Sequence, residues 1–173
     1  MNANARDARD LTVVRRAVTA DIPAIEVIFS QARDFMRANG NMSQWTGGYP
    51  TSDIIAHDID RGQCFVGVDE RSEIRFVFTL IPGEDPTYAQ IYDGAWLIEG
   101  AYATLHRVAS DGSLRRVLER CVDFAKRLHP ELSLRIDTHA DNHPMLRAIA
   151  RCGFRRCGTI RLEDGSPRTA FAM

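Results

Sequence analysis

The sequence predicts a single α/β domain with a mixed central sheet flanked by helices, spanning residues 11–173 behind a flexible N-terminus at 1–10. Three observations carry that expectation. Strand-like and helix-like segments follow one another along the chain, and a strand–helix–strand run lies in its second half. No repeat, low-complexity tract or Pro/Gly/Ser linker divides it. With 173 residues, 45% of them hydrophobic, the chain can bury roughly 70% of its unfolded surface in one core.

The elements follow in order. Leu11 to Arg16 reads as a strand. Asp21 and Pro23 open a helix whose apolar residues Ile22, Ile25, Phe29, Ala32 and Met36 keep helical spacing until Gly40. Asn41 to Pro50 is a loop holding Trp45 and Tyr49, and Ser52 or Asp53 caps a shorter helix that ends before Gly62. Cys64 to Val68 and Ile74 to Ile81 form a hairpin turning through Asp69 to Ser72. Gly83 to Gly100 is turn-rich and aromatic. Ala101 to Ala109 is a strand, Ser113 to Leu128 a helix with a stripe of Leu114, Val117, Leu118, Cys121, Ala125 and Leu128, and Leu132 to Thr138 a strand. That spacing predicts a parallel βαβ unit. Asn142 caps a last helix with Pro144 in its first turn and Gly153 at its end, before two strands, Phe154 to Ile160 and Thr169 to Met173, around an Asp164–Gly165 turn.

Composition narrows the partners. A formal net charge of -1 supplies no global field for nucleic acid or an anionic membrane, so neither is expected. The longest apolar runs, such as Phe76 to Ile81, are strand-sized, and Met1 to Asp10 lacks the apolar stretch of a secretory signal. A cytoplasmic location and four free thiols at Cys64, Cys121, Cys152 and Cys157 are the corresponding expectations.

Candidate chemistry concentrates in ionisable side chains. Arg135, Asp137 and His139 alternate with Leu134, Ile136 and Thr138, which gives one strand face three ionisable groups. Either that face borders a polar cleft, or Arg135 and Asp137 form an internal ion pair with His139 anchoring a loop. His106 and Asp93 complete the cluster from which a base would come, His106 being equally readable as a core histidine. His139 and His143 have metal-pair spacing only on a helix, and Asn142 and Pro144 start the helix between them, so no metal is expected. Trp45 and Tyr49 either bound a cavity or pack over the core.

Five segments in order, QWTGGYP (Gln44 to Pro50), HRVAS (His106 to Ser110), RIDTHADNHPM (Arg135 to Met145), GFRRCGTI (Gly153 to Ile160) and DGSPRTAF (Asp164 to Phe171), resemble a bacterial subgroup of the GNAT superfamily of N-acetyltransferases. The likeness extends over nearly the whole chain. It implies the single-domain GNAT fold and transfer of an acetyl group from acetyl-CoA to a primary amine of a small molecule or peptide. It also implies a fourth strand that splays from the fifth, where Arg107, Val108 and Ala109 offer backbone groups to the pantetheine arm. Ser113, Leu114, Arg115 and Arg116 then lie at the pyrophosphate, by a helix N-terminus. Asn142 adds a contact to the pantetheine arm, and Trp45, Tyr49, Tyr92 and Trp96 line the acceptor pocket with His106 or Asp93 as proton acceptor through water. A homodimer stays open as the assembly.

Three positions depart from the family pattern. Arg116 and Leu118 stand where it has small residues, and Ile149 stands where many members have the tyrosine that protonates the leaving thiolate. Glycine at Arg116 and Leu118 is therefore expected to ease the approach of phosphate to the helix amides. The same departures keep a second reading in play, a noncatalytic ligand-binding or interaction module on the same fold.

Overall fold

The computed structural model describes residues 13–173. The segment 1–10 and the first two residues of the predicted opening strand lie outside the described residues. Seven strands form one sheet: β1 (Val13–Arg16), β2 (Cys64–Val68), β3 (Ile74–Pro82), β4 (Tyr102–Ser110), β5 (Ser133–Thr138), β6 (Arg155–Arg161) and β7 (Pro167–Ala172). Their order across the sheet is β1-β2-β3-β4-β5-β7-β6. Every pairing is antiparallel except β4 with β5, so the predicted mixed sheet is found. Helices α1 (Ile22–Ala38), α2 (Ser52–Asp60), α3 (Val117–Leu128) and α4 (His143–Arg151) cover it, with α3 crossing between the parallel strands.

Alternation along the strands sorts the core into layers. On β2, Phe65 joins a cluster with Leu118 and Cys121 of α3 and Ile149 of α4. Its neighbour Val66 points the other way, into a cluster with Ile25, Ile28 and Phe29 of α1 and Ile55 of α2. On that second face, the segment between β3 and β4 lies over the far strands, where Tyr88 packs with Tyr102, Ile160 and Ala170. The segment is fastened to the edge strand β6 by mutual backbone hydrogen bonds between Tyr92 and Thr159, both 2.8 Å. Gly158 allows this approach, because a Cβ there would stand 2.5 Å from the Tyr92 carbonyl oxygen.

Helix α4 forms as its caps dictate. The Met145 N–H donates to Asn142 Oδ1 at 3.3 Å, Pro144 sits in the first turn, and Gly153 takes φ +86° beyond the last. Helix α3 differs from expectation, starting at Val117 rather than Ser113. The Asp111 carboxylate accepts the Ser113 N–H at 2.9 Å and its hydroxyl at 2.5 Å, which holds a turn there. Arg116 follows in the left-handed region at φ 57°, ψ 39°, so no helix runs through it.

A bulge in β4 shapes the centre of the sheet. Thr79 faces His106 and Val77 faces Ala109, so both Arg107 and Val108 stand opposite one residue of β3, with Arg107 at φ 52°. Such an insertion bends the strand. The ladder between β4 and β5 stops at Leu105 and Ile136, while β4 stays paired to β3 as far as Ser110. Beyond that point the two strands part, as the resemblance implied. The bulge also breaks alternation, so His106 and Arg107 turn their side chains to the same face.

Candidate functional site

A cleft of about 1000 Å³ opens where β4 and β5 separate. Its walls come from α1 and the loop after it, the free half of β4, the first turns of α3 and α4, the end of β5 and the β6–β7 hairpin. Among the described residues no helix is long and apolar enough to cross a membrane. Nor, among them, do three His, Cys, Asp or Glu side chains converge as a metal site needs.

His106 sits at the fork. Its Nε2 is 2.8 Å from Asp85 Oδ2, and its Nδ1 is 4.0 Å from Asp137 Oδ1. Asp137 in turn accepts the Tyr88 hydroxyl at 2.5 Å. Burial pushes the Tyr88 hydroxyl well above its ordinary pKa and the Asp137 charge adds to it, so Tyr88 stays protonated and donates. Burial also works to raise Asp85, but the hydrogen bond and charge of His106 outweigh it and hold Asp85 below the usual carboxylate range. An ionised Asp85 can only accept, so the neutral imidazole carries its proton on Nε2 and presents a lone pair at Nδ1.

A second network braces the same wall. Arg107 grips Asp58 of α2 through Nε and Nη2 at 2.8 and 2.9 Å, and Nη1 donates to the Tyr49 hydroxyl at 3.0 Å. Asp58 also accepts the Thr79 hydroxyl at 2.9 Å. Tyr49 is thereby fixed beside Trp45, their ring centroids 6.3 Å apart, and Trp45 meets Phe29 edge-on at 5.4 Å. Both aromatics line the cleft, and Trp45 at the same time packs on the core cluster of α1, so the two sequence readings meet in one residue.

The remaining candidates divide. Val108, Ala109, Leu114, Arg116 and Asn142 line the cleft beside His106 and Arg107. Ser113 is held in the turn by Asp111, and Arg115 is exposed outside the cleft. Asn142 donates through Nδ2 to Gln44 Oε1 at 3.0 Å while capping α4, so it ties the aromatic loop to that helix. Tyr92, Asp93 and Trp96 are not brought to the cleft. Tyr92 lies along β6 with its ring 5.4 Å from the Arg161 guanidinium, and Asp93 follows it at the surface. Trp96 stacks on Tyr88 at 5.4 Å, behind the network rather than in it.

The internal Arg135–Asp137 ion pair is also absent. Arg135 lies between the rings of Trp96 and Tyr102 at 3.9 and 3.7 Å, which leaves Asp137 to Tyr88 and His106. His139 does anchor a loop, accepting the Asp141 N–H at 3.2 Å. Sequence reasoning missed Asp58 and Asp85. Asp58 carried a readable signal, since it falls three residues after Ile55 and one before Ile59 on the apolar stripe of α2.

The departures at the start of α3 behave differently from each other. Leu118 is 3% exposed and belongs to the core beneath the cleft, so removing its side chain would open a cavity rather than a passage. Arg116 is exposed and sits where glycine loses nothing. Arg116→Gly is expected to stabilise the fold by about 0.5–1 kcal/mol, net of the added freedom of the unfolded chain, read as a rise of about 1–4 °C in Tm. A lowered Tm would mean that the Arg116 side chain contributes more than its backbone costs.

No family model and no curated protein matches the chain. Solved structures do. A GNAT-family acetyltransferase from Streptococcus agalactiae is similar at TM-score 0.85 with 27% identity, over 95% of each chain. One from Listeria monocytogenes reaches 0.70 at 18% identity over 94% of each chain. A third, from Bacillus cereus, reaches 0.60 at 20% identity over 94% of this chain and 96% of that one. At their lower identities the last two speak for the fold alone.

Proposed function

The chain belongs to the GNAT superfamily, and on that premise we propose that it transfers an acetyl group from acetyl-CoA to a primary amine of a small molecule or peptide, with His106 as the base. The parting of β4 from β5 beside His106 carries this reading. Past Leu105 the edge of β4 facing the gap has no strand partner, so Arg107, Val108 and Ala109 can pair with an extended arm as an added strand would. Helix α3, 12 residues long, directs its first amides toward the same opening, suited to phosphate. Acetyl-CoA, when bound, supplies the thioester carbonyl that the amine attacks.

The chain's own groups perform the rest. Trp45 and Tyr49 wall the amine's approach and exclude water. An acceptor that arrives as the ammonium first loses a proton to His106 Nδ1, directly or through one water, and its freed lone pair attacks; as the new C–N bond replaces the C–S bond, the nitrogen sheds a second proton to solvent. The imidazolium formed lies between Asp85 and Asp137, at 2.8 and 4.0 Å, which stabilises it as the charge develops. Ile149, fully buried, offers no proton to the sulfur, so the departing thiolate takes one from solvent at the cleft mouth.

Calorimetric titration with acetyl-CoA followed by a thiol-release assay over a panel of amines tests the reading. One-to-one binding in the micromolar range, about 8 kcal/mol, and thiol release dependent on an amine are expected. Absence of binding at millimolar acetyl-CoA overturns it. Binding with no transfer to any amine favours the noncatalytic module.

A further inference from the structure

Arg168 on β7 is a buried cation whose charge has no counterpart among the described residues. It is 8% exposed and lines the cleft. Nη1 donates to the Pro167 carbonyl at 2.8 Å and to Ser166 Oγ at 3.2 Å, both neutral. No carboxylate of the described residues comes within ion-pairing distance of it. Asp164 is near enough to feel its charge, yet Asp164 Oδ1 is taken by the Ser166 N–H and hydroxyl at 2.9 and 2.6 Å, and its carboxyl is held low chiefly by those bonds. Among the described residues the other buried guanidinium, Arg135, is matched by two aromatic rings, and the half-buried Arg107 by Asp58. A cation taken from water without an anion is costly and calls for one.

Register places this cation beside the reacting end of the cleft. Asp137 stands opposite Ala170, and Arg168 lies two residues from Ala170 on the same face of β7. Arg168 is thus a diagonal neighbour of Asp137, with backbones roughly 7–8 Å apart, well within the reach of an arginine. The carboxylates of this region are already engaged: Asp85 by His106, Asp137 by Tyr88 and Asp58 by Arg107. Glu163 and Asp164 also line the cleft from the β6–β7 hairpin but are exposed to water, whereas Arg168 is buried. A simple polycation would find no free anion beside His106, whereas a molecule that carries a carboxylate near its amine would meet both Arg168 and the base.

We propose that Arg168 binds a carboxylate of the acceptor, so that the acceptors are free amino acids or short peptides presenting a carboxylate close to the reacting amine. The inference rests on the acetyl-transfer reading. A planar guanidinium with N–H groups still available accepts a carboxylate through two parallel hydrogen bonds, which fixes the amine's direction as well as its position.

The test measures thiol release from acetyl-CoA with the twenty L-amino acids, their carboxamides, and dipeptides. At least one amino acid or dipeptide is expected to exceed its carboxamide by tenfold or more in kcat/KM, and the dipeptide arm separates a free amino acid from a peptide terminus. Arg168→Gln is expected to raise KM for that acceptor 10- to 100-fold with little change in kcat and to erase the preference, while Arg168→Lys restores part of it. Carboxamides used as well as the acids, or a preference intact in Arg168→Gln, overturn the proposal even though transfer itself stands. Calorimetry of the CoA-saturated protein with the N-acetyl amino acids separates the other failure: binding that Arg168→Gln abolishes, without turnover, supports the carboxylate site and removes the transfer reading. If Arg168→Gln melts early, Ser166→Ala, which frees the guanidinium from its hydroxyl partner, decides by a several-fold rise in KM confined to carboxylate-bearing acceptors; an unchanged KM counts against the site.

Discussion

Replacing His106 with Gln is expected to lower kcat/KM for amine acetylation by 10²- to 10⁴-fold, about 3–5 kcal/mol, while leaving acetyl-CoA affinity within a factor of a few. Gln keeps a polar group that can bond to Asp85 but has no lone pair basic enough to take the ammonium proton. The loss therefore falls on the chemical step. Raising the pH delivers more of the amine already deprotonated, so the deficit of His106→Gln shrinks toward the acceptor's own pKa. A variant of normal rate at neutral pH would leave deprotonation to solvent and reduce His106 to a wall residue. Asp85 sets a further condition. Its folded-state pKa is depressed by His106 despite burial, so its contribution to stability is present above the unfolded carboxylate value near 4 and is lost as pH falls through the lower folded value. Asp85 is accordingly ionised near neutrality and accepts the hydrogen bond from His106 Nε2 whether the imidazole is neutral or charged.

What could be read in advance follows from how local each signal is. Helix α4 was legible because Asn142, Pro144 and Gly153 act on the backbone within a few residues of themselves. The start of α3 was not, since nothing in the helix-forming residues Ser113 to Arg116 tells that Asp111 captures the Ser113 amide and that Arg116 turns left-handed. The central βαβ unit was legible in outline, but the bulge that aligns His106 with Arg107 depends on how β4 meets β3. Tyr92, Asp93 and Trp96 went astray for the same reason. Their segment has no period, and its docking on β6 depends on Gly158, more than 60 residues further along the chain, meeting Gly94 within it. The partners of Asp137 and Arg168 were closed to a reading of spacing altogether, because ion pairing is decided by which strands become neighbours.

Asp58→Ala is expected to destabilise the protein by about 3–5 kcal/mol, seen as a drop of roughly 10 °C or more in Tm. The pair it breaks is buried on both sides, with side-chain exposures of 14% for Arg107 and 6% for Asp58. Burial by itself works against the Arg107 charge, and Tyr49 and Asp58 more than restore it. Without Asp58 the guanidinium keeps only the Tyr49 and Thr79 hydroxyls, and the desolvation already incurred has no opposing charge. The cost then belongs to the stranded cation rather than to the lost bond, and that distinction can be measured. Adding Arg107→Met to Asp58→Ala removes the cation while filling its space, so the double variant is expected to recover much of the stability lost by the single one. A double variant no more stable than Asp58→Ala would place the energy in packing of the arginine stem instead. Acceptor binding separates the two variants in a further way: only the double variant removes the anchor of the Tyr49 hydroxyl, so KM for the amine is expected to rise most there, even where that variant melts normally. The ion pair then acts as a brace that positions an aromatic wall of the cleft, and Tyr49→Phe in an otherwise intact protein, which keeps the ring but drops the anchor, is expected to reproduce the KM effect without the loss of Tm.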